Sequence, residues 1–120
     1  MQTFQDEKSS LIGNHTISLR KNSNLLLMIT DGNIIKLTPT EYTLVECLLD
    51  GKVIQDEFLV FTLFGIREKL DKAMLTNLVK HINNTRSKLR PFSLNLYRVN
   101  RYGYVLSEIP PKIPKKQKKK

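Results

Sequence analysis

KAMLTNLVKHINNTRSKLRPFSLNLYRVNRYGYVL, residues 72–106, is the stretch whose reading decides the fold. From about Lys72 to Arg90 it has the pattern of a helix, with Leu75, Leu78, Val79, Ile82 and Leu89 sharing one face. At about 100° per residue, Asn77, Lys80, Asn84 and Lys88 fall on the opposite face. Pro91 stops the helix, because its ring and missing N–H cannot continue the ladder. Leu94–Val99 and Tyr102–Leu106 then read as two strands around Asn100-Arg101.

Upstream, Asp56 to Phe64 is a second helix closed by Gly65. Before it, Val53-Ile54 is a short extended link. A first helix starts at Thr38-Pro39-Thr40-Glu41, with Thr38 as N-cap, Pro39 at the first helical position and Glu41 closing a capping box. Tyr42, Val45, Leu48 and Leu49 lie on one face of it, and Asp50-Gly51 ends it. Further upstream the period changes. Thr16–Arg20, Leu25–Thr30 and Ile34–Leu37 are short and apolar, with Asn14, Asn22–Asn24 and the tight turn Asp31-Gly32-Asn33 as punctuation. They predict a small antiparallel sheet.

The expected fold class is α+β: an N-terminal antiparallel sheet, three helices and a C-terminal β-hairpin, the plan of a winged helix-turn-helix. Residues 15–108 form its single domain. Residues 1–14 are expected to be a disordered N-terminus, and residues 109–120 a flexible Lys-rich tail behind the stiff Ile109-Pro110-Pro111-Lys112 exit. No apolar run approaches the roughly 18 residues of a membrane span. Met1–Ser10 has no apolar core of a signal peptide. The expected location is cytoplasmic. The single cysteine, Cys47, sits among apolar neighbours and reads as a buried structural thiol.

Charge is unevenly placed. Residues 1–79 carry 8 Lys and Arg against 10 Asp and Glu, whereas residues 80–120 carry 12 against 1. Six of the twelve are lysines of the tail, and the others are Lys80, Arg86, Lys88, Arg90, Arg98 and Arg101. A folded segment bearing only positive charge is expected to face a polyanion. A helix whose outer face carries Asn, Lys and Ser suits a DNA major groove, where Asn pairs with adenine and Lys reaches guanine or phosphate. Arg98, Asn100 and Arg101, at the tip of the following hairpin, are placed for phosphates or the minor groove. An enzyme is not expected: two histidines, one cysteine and no metal-ligand spacing leave no catalytic constellation, and no cofactor is implied.

The same segments resemble OmpR/PhoB-type effector domains of bacterial transcription regulators. Leu37-Thr38-Pro39-Thr40-Glu41-Tyr42 is similar to that family's "LTPTEF" opening of the first helix. Lys52 to Val60 and Phe64-Gly65 resemble its "RVVSREQLL…WG" segment. His81-Ile82 with Arg86-Ser87-Lys88-Leu89 is similar to "HI…LRxKL" of its recognition helix, and Arg98 to Leu106 resembles its wing, "TVRGxGYRL". The resemblance covers roughly residues 15–107. It implies an N-terminal sheet of four strands, a hairpin joined to a short strand between the first two helices, and sequence-specific binding of double-stranded DNA, often as tandem dimers. It places Asn84 at a base-reading position. Asn77, His81, Asn83, Arg86 and Tyr104 take backbone-contacting positions, and Arg98 and Asn100 take wing positions.

Departures from that family are specific. Asn83 and Asn84 stand where Arg or Lys is usual, Thr85 where a core leucine is usual, Phe64 for tryptophan and Arg101 for the wing glycine. The residues ahead of the domain leave no room for a phosphate-receiving domain, so control by phosphorylation is not carried over. Three residues have two readings each. His81 packs on its neighbours or contacts phosphate, Arg86 lies over the core or contacts DNA, and Tyr104 is core or contact. Phe58 and Phe61 lie away from the core-facing Leu59, Val60, Leu63 and Phe64, and so form a candidate surface for a homodimer or RNA polymerase. The alternative function is thus a protein-interaction module that keeps the fold with little DNA binding. A membrane partner would require a transmembrane helix beyond Lys115–Lys120, as in ToxR-type regulators.

Overall fold

Three two-residue turns fold the first strands back on one another. In the last of them Asp31 (φ 50°) and Gly32 (φ 81°) are both left-handed, the pairing that joins strands of natural twist without splaying them. The computed structural model describes residues 6–65 and 71–110. Within them β1 (Asp6–Ile12), β2 (His15–Asn22), β3 (Leu25–Thr30) and β4 (Asn33–Lys36) form an antiparallel sheet in sequence order. The expected Lys-rich tail beyond residue 110 lies outside the described residues, as do residues 1–5.

β1 corrects an expectation. Part of the stretch read as unstructured, Asp6–Ile12, pairs along β2 from Asp6↔Lys21 to Ile12↔His15. The strand is hard to see because it lies at the sheet edge, and Ile12 is its one core residue. Backbone pairing, a Ser9–Ser18 hydroxyl contact of 3.0 Å and a Lys8–Glu46 ion pair hold it, and none of these leaves an apolar alternation. The four-stranded sheet agrees with what the family resemblance implies.

The helices follow as α1 (Pro39–Leu48), α2 (Asp56–Phe64) and α3 (Lys72–Leu89), with a two-residue strand β5 (Ile54–Gln55) before α2. The capping box of α1 is complete: Thr38 Oγ1 accepts from the Glu41 amide (3.2 Å), and Glu41 Oε1 accepts from the Thr38 amide (2.9 Å). Asp71 caps α3 by accepting from the Met74 amide at 2.9 Å. After a 3-10 turn, Arg90–Phe92, the chain reverses at Ser93 (φ 67°) into β6 (Leu94–Val99) and β7 (Gly103–Glu108). Leu94 and Leu96 of β6 and Leu106 of β7 are buried in the core. β5 pairs with β7, giving a second antiparallel sheet in the order β5-β7-β6.

The protein is therefore α+β, with two antiparallel sheets and, among the described residues, three α-helices. One core joins them. Ile17, Leu19 and Met28 of the first sheet, Leu44 and Leu48 of α1, Leu59 of α2, and Leu78, Ile82 and Leu89 of α3 are all buried in it. No helix among the described residues is long and apolar enough to cross a membrane.

On α3 the buried stripe differs from the expected one. Leu78, Ile82, Thr85 and Leu89 form it, while Val79 is 43% exposed. Thr85 fits the core because its hydroxyl donates to the His81 carbonyl one turn back, at 2.8 Å, so no polar atom is left unmet. Leu75 and Val79 sit at the edge of the stripe facing the hairpin, where they line a cleft of about 220 Å³ with Arg98 and Tyr104.

Candidate nucleic-acid interface

α3 contains no acidic residue from Lys72 to Leu89. Opposite its buried stripe, Thr76, Asn77, Lys80, Asn83, Asn84 and Ser87 are exposed. The sequence reading named Asn77, Lys80, Asn83 and Asn84 as contacts; Thr76 belongs to the same surface and was missed. Its signal was available in the helical angle, since Thr76 lies four residues before Lys80. Lys72, Ala73, Thr76, Asn77 and Lys80 border a shallow depression of about 650 Å³ along the first half of the helix.

The flanks of α3 are different. Arg86 points toward β6 and donates twice to the Leu96 carbonyl, from Nε at 3.0 Å and Nη2 at 2.7 Å. Its Nη1 donates to Asn83 Oδ1 at 3.0 Å. On the other flank, Lys88 donates to Glu41 Oε1 (2.6 Å) and to the Lys36 carbonyl (3.1 Å), joining α3 to α1 and β4. Lys88 was expected on the outward face; it is half-buried because a buried carboxylate lies within its reach. Burial alone would raise the Glu41 pKa, but the Lys88 hydrogen bond and charge and the Thr38 cap outweigh it and hold the carboxyl below its ordinary value. His81 is half-buried, and its ring lies 5.7 Å from that of Phe64. It thus packs on a neighbouring aromatic while keeping part of its ring in solvent.

The β6–β7 hairpin turns through Asn100-Arg101-Tyr102, with the Tyr102 amide donating to the Val99 carbonyl at 2.9 Å. Asn100 takes the left-handed conformation (φ 49°), which Asn tolerates well. Arg101 does not need it, so an arginine in place of the family's glycine fits the turn. Gly103 has a separate reason to be glycine: a Cβ there would overlap the Ile54 carbonyl across the β5–β7 pairing. Tyr104 is 5% exposed and belongs to the core. Arg98 lies 4.9 Å over its ring, bonds Asp56 Oδ1 through Nη1 (2.6 Å) and donates from Nε to the Asn100 carbonyl (2.9 Å). The Asp56 hydrogen bond raises the Arg98 pKa above its ordinary value. Asn100 and Arg101 are exposed at the tip.

Phe58 (52% exposed) and Phe61 (37%) stand outward on α2, as the sequence suggests. Phe58 borders a cleft of about 350 Å³ with Val53, Ile54, Gln55 and Tyr102. Cys47 is half-buried, and burial together with the Glu46 charge raises its thiol pKa, against a weaker lowering effect from Thr62 and Lys8. Among the described residues no group of three His, Cys, Asp or Glu side chains is placed to hold a metal ion. No family model matches this chain, and no curated protein matches it.

Proposed function

We propose that this chain is a sequence-specific double-stranded DNA-binding domain of winged-helix, OmpR/PhoB-like organisation, acting in transcription regulation rather than as an enzyme. α3 enters the major groove, and the β6–β7 hairpin rests on the adjacent backbone or minor groove. The observation that carries this reading is the outward ridge of α3. It is free of acids and presents Asn77, Lys80 and Asn84 to solvent while both flanks of the helix are braced on the fold. Such a braced helix presents its donors and acceptors to base edges with little ordering left to do on binding.

The roles then sort by availability. Asn84 reads a base, Lys80 meets a neighbouring base or phosphate, and Asn77, Asn83, Asn100 and Arg101 supply further contacts. The reading places the domain in the cytoplasm, with paired copies on repeated sites. The test is selection from a random duplex library, which is expected to enrich a short motif. Failure to retain any duplex at low salt rejects the proposal. A second reading, contact with another protein, is favoured by the outward aromatics Phe58 and Phe61. Sedimentation of the Phe58→Ser/Phe61→Ser double variant, with and without duplex, tests it; self-association unchanged from the parent counts against a homodimer through this surface.

A further inference from the structure

The hairpin turn is bonded on both sides to the start of α2. The Asp56 amide donates to the Tyr102 carbonyl at 3.0 Å, and Gln55 Nε2 donates to the Tyr102 hydroxyl at 3.0 Å. The Asp56 carboxylate receives Arg98 Nη1, and the same guanidinium holds the Asn100 carbonyl through Nε. One arginine thus links the first residue of α2 to the first residue of the turn. We infer that Asp56 and Arg98 form a clasp that positions the Asn100-Arg101-Tyr102 turn for DNA, with Arg98 acting through Asp56 and not on phosphate. This inference rests on the DNA-binding reading.

Burial decides between the two roles for Arg98. The Asp56 side chain is 12% exposed, whereas that of Arg98 is 38% exposed. If Arg98 swung out to a phosphate, a largely buried carboxylate would lose its cation, a penalty larger than one solvent-exposed ion pair returns. The guanidinium is also stacked on Tyr104, its cross-strand partner, which further fixes its plane. Arg101, exposed and without an ion pair among the described residues, is the cation the clasp delivers. Asp56 and Arg98 are positioning residues on this view.

The two roles predict opposite signs. Asp56→Asn, Arg98→Gln, Arg98→Lys and the double Asp56→Asn/Arg98→Gln variant are titrated against the duplex selected by the parent, across a range of salt. The clasp predicts that both single neutralisations weaken binding about tenfold, the size of one lost charged hydrogen bond. It predicts that the double variant is no weaker than either, and that the salt slope stays that of the parent. It also predicts that Arg98→Lys binds as poorly as Arg98→Gln, because an ammonium cannot bridge Asp56 and the Asn100 carbonyl in one plane. A phosphate contact predicts tighter binding in Asp56→Asn, a slope reduced by about one in Arg98→Gln, and near-parental binding in Arg98→Lys. Those three results overturn the clasp. Amide exchange at Asp56 and Tyr102 separates the failure of the clasp from that of the DNA reading. It speeds up equally in both single neutralisations if the clasp exists, even if the parent retains no duplex. Unchanged exchange rejects the clasp itself.

Discussion

α3 and the β6–β7 hairpin both carry cations and amides near the proposed contact surface, but they hold them differently. On α3 the side chains of Asn77, Lys80 and Asn84 on the ridge make no hydrogen bond among the described residues, and the cations that bind protein atoms lie on the flanks. On the hairpin the strand cation Arg98, though partly exposed, is bonded to Asp56, while the tip residues Asn100 and Arg101 project. Of the six cations from Lys80 to Arg101, Arg86, Lys88 and Arg98 are bonded within the fold. The side chains of Lys80, Arg90 and Arg101 are exposed and make no ion pair or hydrogen bond among the described residues. The difference shows that charge counted along a sequence is not charge available to a partner. Each phosphate contact contributes about 0.9 to the salt slope. The described part of the chain should therefore give a slope set by its unpaired cations, well below what six would give.

The sharpest way to break the comparison is to remove the hairpin's support while leaving α3 intact. Gly103→Ala places a methyl against the Ile54 carbonyl, so β5 and β7 must separate and the Asp56–Tyr102 bond goes with them. The expected loss is about 3 kcal/mol in urea unfolding, the upper end for overpacking. A midpoint equal to the parent's would show that the hairpin does not depend on β5.

Arg86→Ala tests the bracing of α3 from the other side. It strips two donors from the Leu96 carbonyl and one from Asn83, and is expected to cost about 2 kcal/mol of stability. The salt slope of duplex binding should not change. A slope lower by about one, with stability intact, would return Arg86 to the DNA surface.

Acid acts on the Lys88 brace. The folded pKa of Glu41 is depressed, so its contribution is fully present above the ordinary value of about 4.3 and is lost as pH falls through the lower folded value. Glu41→Gln should remove that part of the acid dependence and cost about 1–2 kcal/mol at neutral pH, since the cap and the Lys88 bond both weaken. Parallel stability curves for parent and variant between pH 5 and the acid limit would refute it.

What was legible in the sequence was local. The Asp31-Gly32 turn, the Thr38/Glu41 capping box, the Asp56–Phe64 limits of α2 and the outward Phe58 all follow from residues within about one turn of each other, where backbone sterics and helical angle decide. What was illegible depends on distant atoms. Lys88 meets Glu41 across 47 positions, and Arg98 meets Asp56 across 42. Edge strand β1 forms on β2's backbone with little apolar pattern of its own. Val79 leaves its expected place on the buried face because the partner surface, not the helix, sets the centre of the stripe, while Thr85 is buried at the position where the resemblance puts a core leucine. The sequence names a face of α3 and a hairpin tip as the candidate site, and Asn77, Lys80, Asn83, Asn84, Asn100 and Arg101 are exposed there. Which of its side chains are engaged elsewhere was set by the tertiary packing.

The smallest effects are expected on the α3 ridge itself. Asn84 and Lys80 are exposed, so Asn84→Ala and Lys80→Ala should each leave unfolding within about 0.5 kcal/mol of the parent. Their binding signatures then separate. Asn84 lies opposite Leu75, Ile82 and Leu89, and its amide has both a donor and an acceptor to offer adenine. Asn84→Ala should cost about 1 kcal/mol on the matched duplex and almost nothing on one mismatched at that position, with the salt slope unchanged. Lys80→Ala should weaken both duplexes alike and lower the slope by about one. Measuring both variants on both duplexes at two salt concentrations decides the assignment. If Asn84→Ala loses the same affinity on every duplex, Asn84 holds the backbone and the base reader is elsewhere on the ridge, with Thr76, one turn before Lys80, the next residue to test.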